Sequence, residues 1–469
     1  MMRCIISVIC ALFFSATVIA DPIASRLQYL LSQTHSQAHI GVLVQSADSG
    51  KIYFSKNSNQ NFAPASVQKL FTVAVATSLL KPDYRFTTRL MTQGNTSGGV
   101  LNGNVIFQFT GDPTITEGDL NQLVQTLQSK NIHQIAGNIV IDDTAYQALP
   151  YPPGWIWDDL SYDYAAPLNT VIIDRNRFGL SFKPSPINGG KAAIEPQLPN
   201  QTAQFFDGLI TNSYSGEDCP LTVYSDMQNQ YWVSGCLSRQ LGVQHRMLAI
   251  RNMKMFTSAL IRELLAQHHI QLRGQFLYEH APANASVITT KYSPPLQELL
   301  IHLLKKSDNL YAGTLLKKVG EHYSHEAGSW KNGVNALNLF LINTVGIAKK
   351  DIHIDDAAGL SRYDFVTPRA VAKLLVYIYT HPALKKTILS ALPIAGVDGT
   401  LAGRMPSLGA SRCVHAKTGS MTNVSSLAGF VKTRQHGTLA FVILVNNFSG
   451  KLAPYRYLEN RIVEALAKS

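Results

Sequence analysis

Pro64-Ala65-Ser66-Val67-Gln68-Lys69-Leu70-Phe71-Thr72-Val73-Ala74-Val75-Ala76-Thr77-Ser78-Leu79-Leu80-Lys81-Pro82 is the stretch on which the fold turns. Residues 67–80 are apolar on every side of a helical wheel, so the spacing predicts a helix buried in a core rather than one lying on a surface. Proline ends it at Lys81-Pro82. Ser66 opens this helix, and Lys69, three positions on, lies on the same face. A serine is a poor nucleophile until an adjacent base takes its proton. A lysine in an apolar, water-poor place is disfavoured as a cation, which lowers its pKa and suits it to be that base. The positive end of the helix favours the negative charge that would develop at Ser66.

Ser-x-x-Lys by itself is weak, since Ser78 to Lys81 repeats it, but there the serine lies in the last turn and the lysine reads as a solvated C-terminal cation. Ser-x-Asn occurs at Ser55, Ser129 and Ser307. Only Ser307-Asp308-Asn309 falls between two predicted helices, 296–306 and 309–319, in a connection tight enough to aim side chains into a cleft. Lys417-Thr418-Gly419 occurs once, at the end of an edge-like strand, and its glycine permits close backbone approach.

Outward from these motifs, a short helix is expected over 23–33, a hairpin from 40–45 and 52–55, three strands over 412–418, 426–433 and 438–446, and a last helix over 454–468. Ser293 before Pro294 reads as the cap of the helix over 296–306. Between the first and second motifs the pattern changes to short β-rich runs with many Gly, Pro and Asn turns, interrupted by one helical stretch over 120–129. The expected architecture is α/β (α+β): an antiparallel sheet flanked by helices, with a large β-rich insertion of two smaller domains. We divide the chain into a leader over 1–20, a main domain from 21–84 and 285–469, and an inserted region over 85–284, with an inner subdomain at about 95–165.

The leader reading rests on Arg3, the apolar run over 5–17 and the small-residue site Val18-Ile19-Ala20, which together suit export to the periplasm with cleavage. The run is shorter than the ~20 residues that span a bilayer. The 469-residue chain has 41 basic and 30 acidic side chains, and loss of Arg3 leaves a net charge of +10. An anionic partner is expected. Lys and Arg are scattered rather than set in a stripe with stacking aromatics, which argues against nucleic acid. Membrane contact is expected to be peripheral at most. Cys219 and Cys236, seventeen positions apart in a stretch bounded by turn residues, suit a disulfide in an oxidising compartment, with Cys413 left over. No metal site is expected: there is no Cys-x-x-Cys, and His35 to His39 lies far from the cysteines in a polar stretch.

Ser-x-x-Lys, Ser-x-Asn and Lys-Thr-Gly in this order form the motif set of penicillin-binding proteins and serine β-lactamases. With 241 positions between Ser66 and Ser307, the chain resembles the class C low-molecular-mass penicillin-binding proteins, the D-alanyl-D-alanine carboxypeptidase/endopeptidase family of penicillin-binding protein 4 type. Further similar segments are Gly111-Asp112-Pro113-Thr114, Pro153-Gly154-Trp155, Asp174-Arg175-Asn176, residues 358–362 and residues 392–399, and the cysteine pair has a counterpart there too. The resemblance implies a transpeptidase-like catalytic domain without cofactor, acting on peptidoglycan stem peptides and inhibited by β-lactams. It implies Ser66 as acylated nucleophile, Lys69 as base, Ser307 as proton relay to the leaving amine and Asn309 as holder of the substrate amide. Lys417 and Thr418 would take the terminal carboxylate, Gly419 would admit the substrate, and the N–H groups of Ser66 and Ser420 would form the oxyanion hole. Asp159, Tyr164 and Arg362 would meet the side chain of a diamino acid, while Thr422 departs from the glutamine of some members. The rivals are a β-lactamase, whose Glu-x-x-Leu-Asn string is matched by chance at Glu117 to Asn121, and a binding protein of the same fold that has lost turnover.

Overall fold

Residues 439–445 are all buried and all apolar, so their strand must be covered on both faces. In the computed structural model, which describes residues 22–34, 37–212 and 219–469, that strand is the middle one of five. The five are β1 (His39–Ser46), β2 (Ile52–Lys56), β3 (Val414–Met421), β4 (Val424–Lys432) and β5 (Thr438–Asn446), in the order β3-β4-β5-β1-β2 with every pairing antiparallel. Because side chains alternate across a strand, Ala440, Val442 and Leu444 enter one core and Phe441, Ile443 and Val445 another. The first core holds the helices Lys69–Leu80, Leu296–Lys306, Asn309–Ser324 and Pro368–Thr380; the second holds the helix Pro22–Ser32 and the last helix, Ala453–Lys468. Lys69–Leu80 buries every residue but Ser78 and Leu79, as its unbroken apolar surface requires.

Three local expectations are corrected. Lys417-Thr418-Gly419 lies inside β3, not at its end, because the ladder with β4 continues through Ser420 and Met421 to a turn where Asn423 takes φ +64°. Ser293 does not cap the helix Leu296–Lys306; its hydroxyl accepts from Phe86 N and donates to Pro294 O. The strand Ser286–Tyr292 lies past residue 284 yet joins the inserted region, pairing Tyr292 with Thr87, since the two ends of an insertion must leave and re-enter the main domain at one place.

The inserted region builds a seven-stranded sheet from both of its ends, Thr87–Ser97 through Ile139–Asp142 and Gln271–Leu272 through Ser286–Tyr292, and two three-stranded sheets between them. One apolar core runs through all three, from Leu90 and Phe107 to Phe178, Leu209 and Tyr231. Cys219 and Cys236 are bonded, with Cα atoms 5.3 Å apart, and Cys413 is a free thiol. No described helix is long and apolar enough to cross a membrane. The expected leader over 1–20 lies outside the described residues.

Candidate active site

Ser66 sits in a short 3-10 turn, Ala65–Gln68, that leads into the buried helix. Ala65 before it takes φ +45°, a left-handed conformation that costs an alanine energy and persists only where the surroundings enforce it. Lys69 is fully buried, and its Nζ donates to Ser66 Oγ at 2.8 Å, Asn309 Oδ1 at 2.6 Å and Ala358 O at 3.0 Å. Three acceptors satisfy an ammonium; a neutral amine would keep two and turn its lone pair to the third. Burial lowers the lysine from its ordinary 10.5 to about 7, against the opposing pull of the Asp356 and Asp308 carboxylates.

Ser307 ends the helix Leu296–Lys306 in the left-handed region, φ +59°, and the next helix starts two residues later at Asn309. Asp308 caps that helix, its Oδ1 accepting from the N–H groups of Leu310 and Tyr311. This sharp reversal brings Ser307 and Asn309 to the cleft together. Lys417 Nζ donates to Ser307 Oγ at 2.8 Å and to Thr418 O at 2.8 Å; burial, then the charge of Lys69, pushes its pKa well below the usual range. Thr418 Oγ1 donates to Thr400 Oγ1 at 2.7 Å. Glycine is required at 419: a Cβ there would stand 2.2 Å from Ser426 Oγ and 2.9 Å from Ser66 N. Edge strand β3 thus lies directly against the turn of the serine.

One buried carboxylate organises the far wall. Asp356 accepts from the backbone N–H groups of Ala358, Gly359, Leu360 and Ser361 and from Trp155 Nε1, all at 2.6–3.0 Å. The resulting loop turns Ala358 O toward Lys69. Gly359, at φ +77°, lies so close that a Cβ would meet Ala65 O at 1.9 Å. Arg362 N donates to Gly154 O at 2.9 Å, so Pro153-Gly154-Trp155 and residues 358–362 pack against each other.

Ser66, Ser307, Asn309, Thr418, Gly419, Ser420, Asp159, Tyr164 and Arg362 all line one cleft of about 700 Å³, and the buried Lys69 and Lys417 reach it through their hydroxyl partners. Tyr164 OH donates to Asp159 Oδ1 at 2.8 Å, and Asn309 Nδ2 to Tyr164 O at 2.7 Å. Burial first, then the Asp159 carboxylate, raises the Tyr164 phenol. Arg362 Nη1 donates to Thr422 O at 3.2 Å; among the described residues it makes no ion pair with Asp159. The other motif copies lie elsewhere: Ser78 Oγ donates back to Ala74 O within its helix, and Glu117 opens the helix Glu117–Ser129 behind the Thr116 cap. Sequence reasoning missed Asp356, Thr400, Arg404, Arg456 and Asn460. For Asp356 there was a signal, an Asp just before the small run Ala357-Ala358-Gly359, the composition of an Asp-capped turn. For the others there was none.

Known proteins resemble this chain over most of its length. A profile of the D-Ala-D-Ala carboxypeptidase 3 (S13) family matches residues 23–468. The chain is 31% identical over 442 residues to D-alanyl-D-alanine carboxypeptidase DacB of Haemophilus influenzae, covering 92% of this chain and 91% of that one. The crystal structure of penicillin binding protein 4 from the same organism superposes with a TM-score of 0.87 at 30% identity, covering 94% of this chain and 99% of that one. A structure of that protein complexed with a β-lactam gives 0.81 at 29% identity, covering 95% and 100%.

Proposed function

The chain belongs to the D-Ala-D-Ala carboxypeptidase 3 (S13) family, and on that footing we propose that it is a periplasmic serine carboxypeptidase and endopeptidase cutting D-alanyl bonds in peptidoglycan stem peptides and cross-links. The observation that carries this is the fully buried Lys69, whose Nζ stands 2.8 Å from Ser66 Oγ at the wall of the cleft. Neutral Lys69 takes the hydroxyl proton as Ser66 Oγ attacks the D-alanyl carbonyl. The N–H groups of Ser66 and Ser420 receive the developing oxyanion. The leaving amine takes its proton through Ser307, which Lys417 orients, and Lys417 and Thr418 receive the terminal carboxylate. Asn309 positions the substrate amide. Water then hydrolyses the acyl-enzyme over the same base. A β-lactam enters by the same attack and remains as the covalent acyl-enzyme.

In this reading the inserted region contributes selectivity through Asp159 and Tyr164, which with Arg362 offer opposite charges to a zwitterionic side chain in the stem. Labelled penicillin followed by peptide mapping tests the assignment: label on the peptide containing Ser66, lost in Ser66→Ala and kept in Ser78→Ala, is expected, and the reverse would exclude it. Mass analysis of digested muropeptides, showing loss of terminal D-alanine and opening of cross-links, tests the activity.

A further inference from the structure

Arg404, Arg456 and Asn460 line the same cleft and have no part in the reaction described above. Arg456 and Asn460 are four apart on the last helix, Ala453–Lys468, and so share one face. Arg404 follows the short turn Gly399–Leu401 that carries Thr400. Arg404 is held in place: Nη2 donates to Glu459 Oε2 at 2.8 Å and to Arg456 O at 3.3 Å, while Nε and Nη2 reach Asn460 Oδ1 at 2.9 and 2.7 Å. Glu459 is fully buried and accepts from Ser425 Oγ at 2.6 Å. Burying a carboxylate is costly unless it is paired, so its place in the fold is explained by the guanidinium it fixes at the cleft wall. Arg456, by contrast, is exposed; its Nη2 donates to Ser420 Oγ at 3.4 Å, and it makes no ion pair among the described residues. Asn460 gives its oxygen to Arg404, and among the described residues its Nδ2 makes no hydrogen bond. This wall therefore presents two guanidinium groups and an amide donor against one carboxylate, which Arg404 already engages.

We propose that Arg456, with Arg404 and Asn460, forms a subsite for a second carboxylate, one carried by the departing strand of a cross-linked substrate. The inference rests on the peptidase reading, in which Lys417 and Thr418 receive the carboxylate next to the leaving amine. A departing D-alanine has that one carboxylate and nothing further for the arginines to meet. A departing stem peptide carries more. Thr400, bonded to Thr418, lies four residues before Arg404, whose N–H donates to Leu401 O at 3.0 Å, so the proposed subsite would adjoin the first carboxylate position.

The test measures kcat/KM of the full chain on a cross-linked muropeptide dimer and on a monomeric pentapeptide stem, for wild type, Arg456→Gln and Arg456→Lys. The dimer-to-monomer ratio is expected to fall about tenfold in Arg456→Gln, chiefly through KM for the dimer, and to recover in part in Arg456→Lys. An unchanged ratio overturns the subsite, and so does an equal loss on both substrates, which would assign Arg456 to the carboxylate shared by both. The peptidase reading is judged separately, on wild type alone: failure to trim the monomer would sink that reading, whereas trimming of monomers with dimers left intact would remove the endopeptidase activity and this subsite with it.

Discussion

Lys69 and Lys317 are both fully buried on helices of one core, and burial lowers both to about 7, yet their surroundings differ in kind. Lys69 faces a hydroxyl, an amide oxygen and one carbonyl at the wall of the cleft. Among the described residues Lys317 faces backbone and rings: its Nζ donates to Leu149 O at 2.8 Å and Leu168 O at 3.0 Å and lies 5.0 Å from the ring centre of Trp330. A depressed pKa marks a lysine taken from water, and it becomes a base only where an acidic proton is within reach. Lys317 instead ties both ends of the segment 149–168, which carries Asp159 and Tyr164, to the helix that begins at Asn309.

The largest expected effect separates the two directly. Lys69→Met should slow acylation by labelled penicillin about a thousandfold, and Lys317→Met by no more than about tenfold, because only the first removes a proton acceptor. Equal losses would erase the distinction. Next, the acylation rate should fall as pH drops below about 7, where Lys69 gains its proton, approaching about tenfold per pH unit. That limb should survive in Lys317→Met, and its disappearance there would make Lys317 the titrating base.

A third effect belongs to Lys317 and to stability. Its folded pKa, about 7, lies below the ordinary 10.5, so between these values the unfolded chain binds more protons than the folded one, and stability rises with pH. The penalty of the buried cation is full below about 7 and is relieved as pH climbs toward 10.5. Urea midpoints of wild type should therefore gain on those of Lys317→Met from neutral to alkaline pH; a difference that stays flat or shrinks would count against a buried cation at this place. The smallest effect concerns selectivity. Arg362→Ala and Lys317→Met should each lower, by roughly threefold to tenfold, the ratio of turnover on a diaminopimelate-containing muropeptide to that on a simple acyl-D-alanyl-D-alanine, one by removing a contact and the other by loosening the segment of Asp159. An unchanged ratio in Lys317→Met would leave it a packing residue alone.

Much of the fold was legible because burial on both faces leaves a one-dimensional trace. The strand Thr438–Asn446 and the helix Leu296–Lys306 stand where the pattern placed them, and the helix ending at Leu80 announced its depth by lacking a polar face. Strand ends were less legible: β3 and β4 run on to a turn at Asn423 whose left-handed residue carries no apolar signal. The return of Ser286–Tyr292 to the inserted sheet was hidden because pairing with Thr87–Thr92 depends on chain reversal, not on local composition.

What the sequence by itself determined is the set of short-range relations. Ser66 and Lys69 are three positions apart, and helical geometry puts them within reach of each other; Ser307 and Asn309 flank a break between helices; Gly419 follows Lys417 on an edge strand. Only the tertiary structure decided that Lys69 meets Asn309 and Ala358, that Asp356 collects Trp155 from the inserted region, and that the last helix sets Arg456 beside Ser420. The physical reason is one of range. A residue's periodicity reports which face it turns to the core within a turn or two, whereas which side chains meet across that core depends on how layers far apart in the chain are packed together.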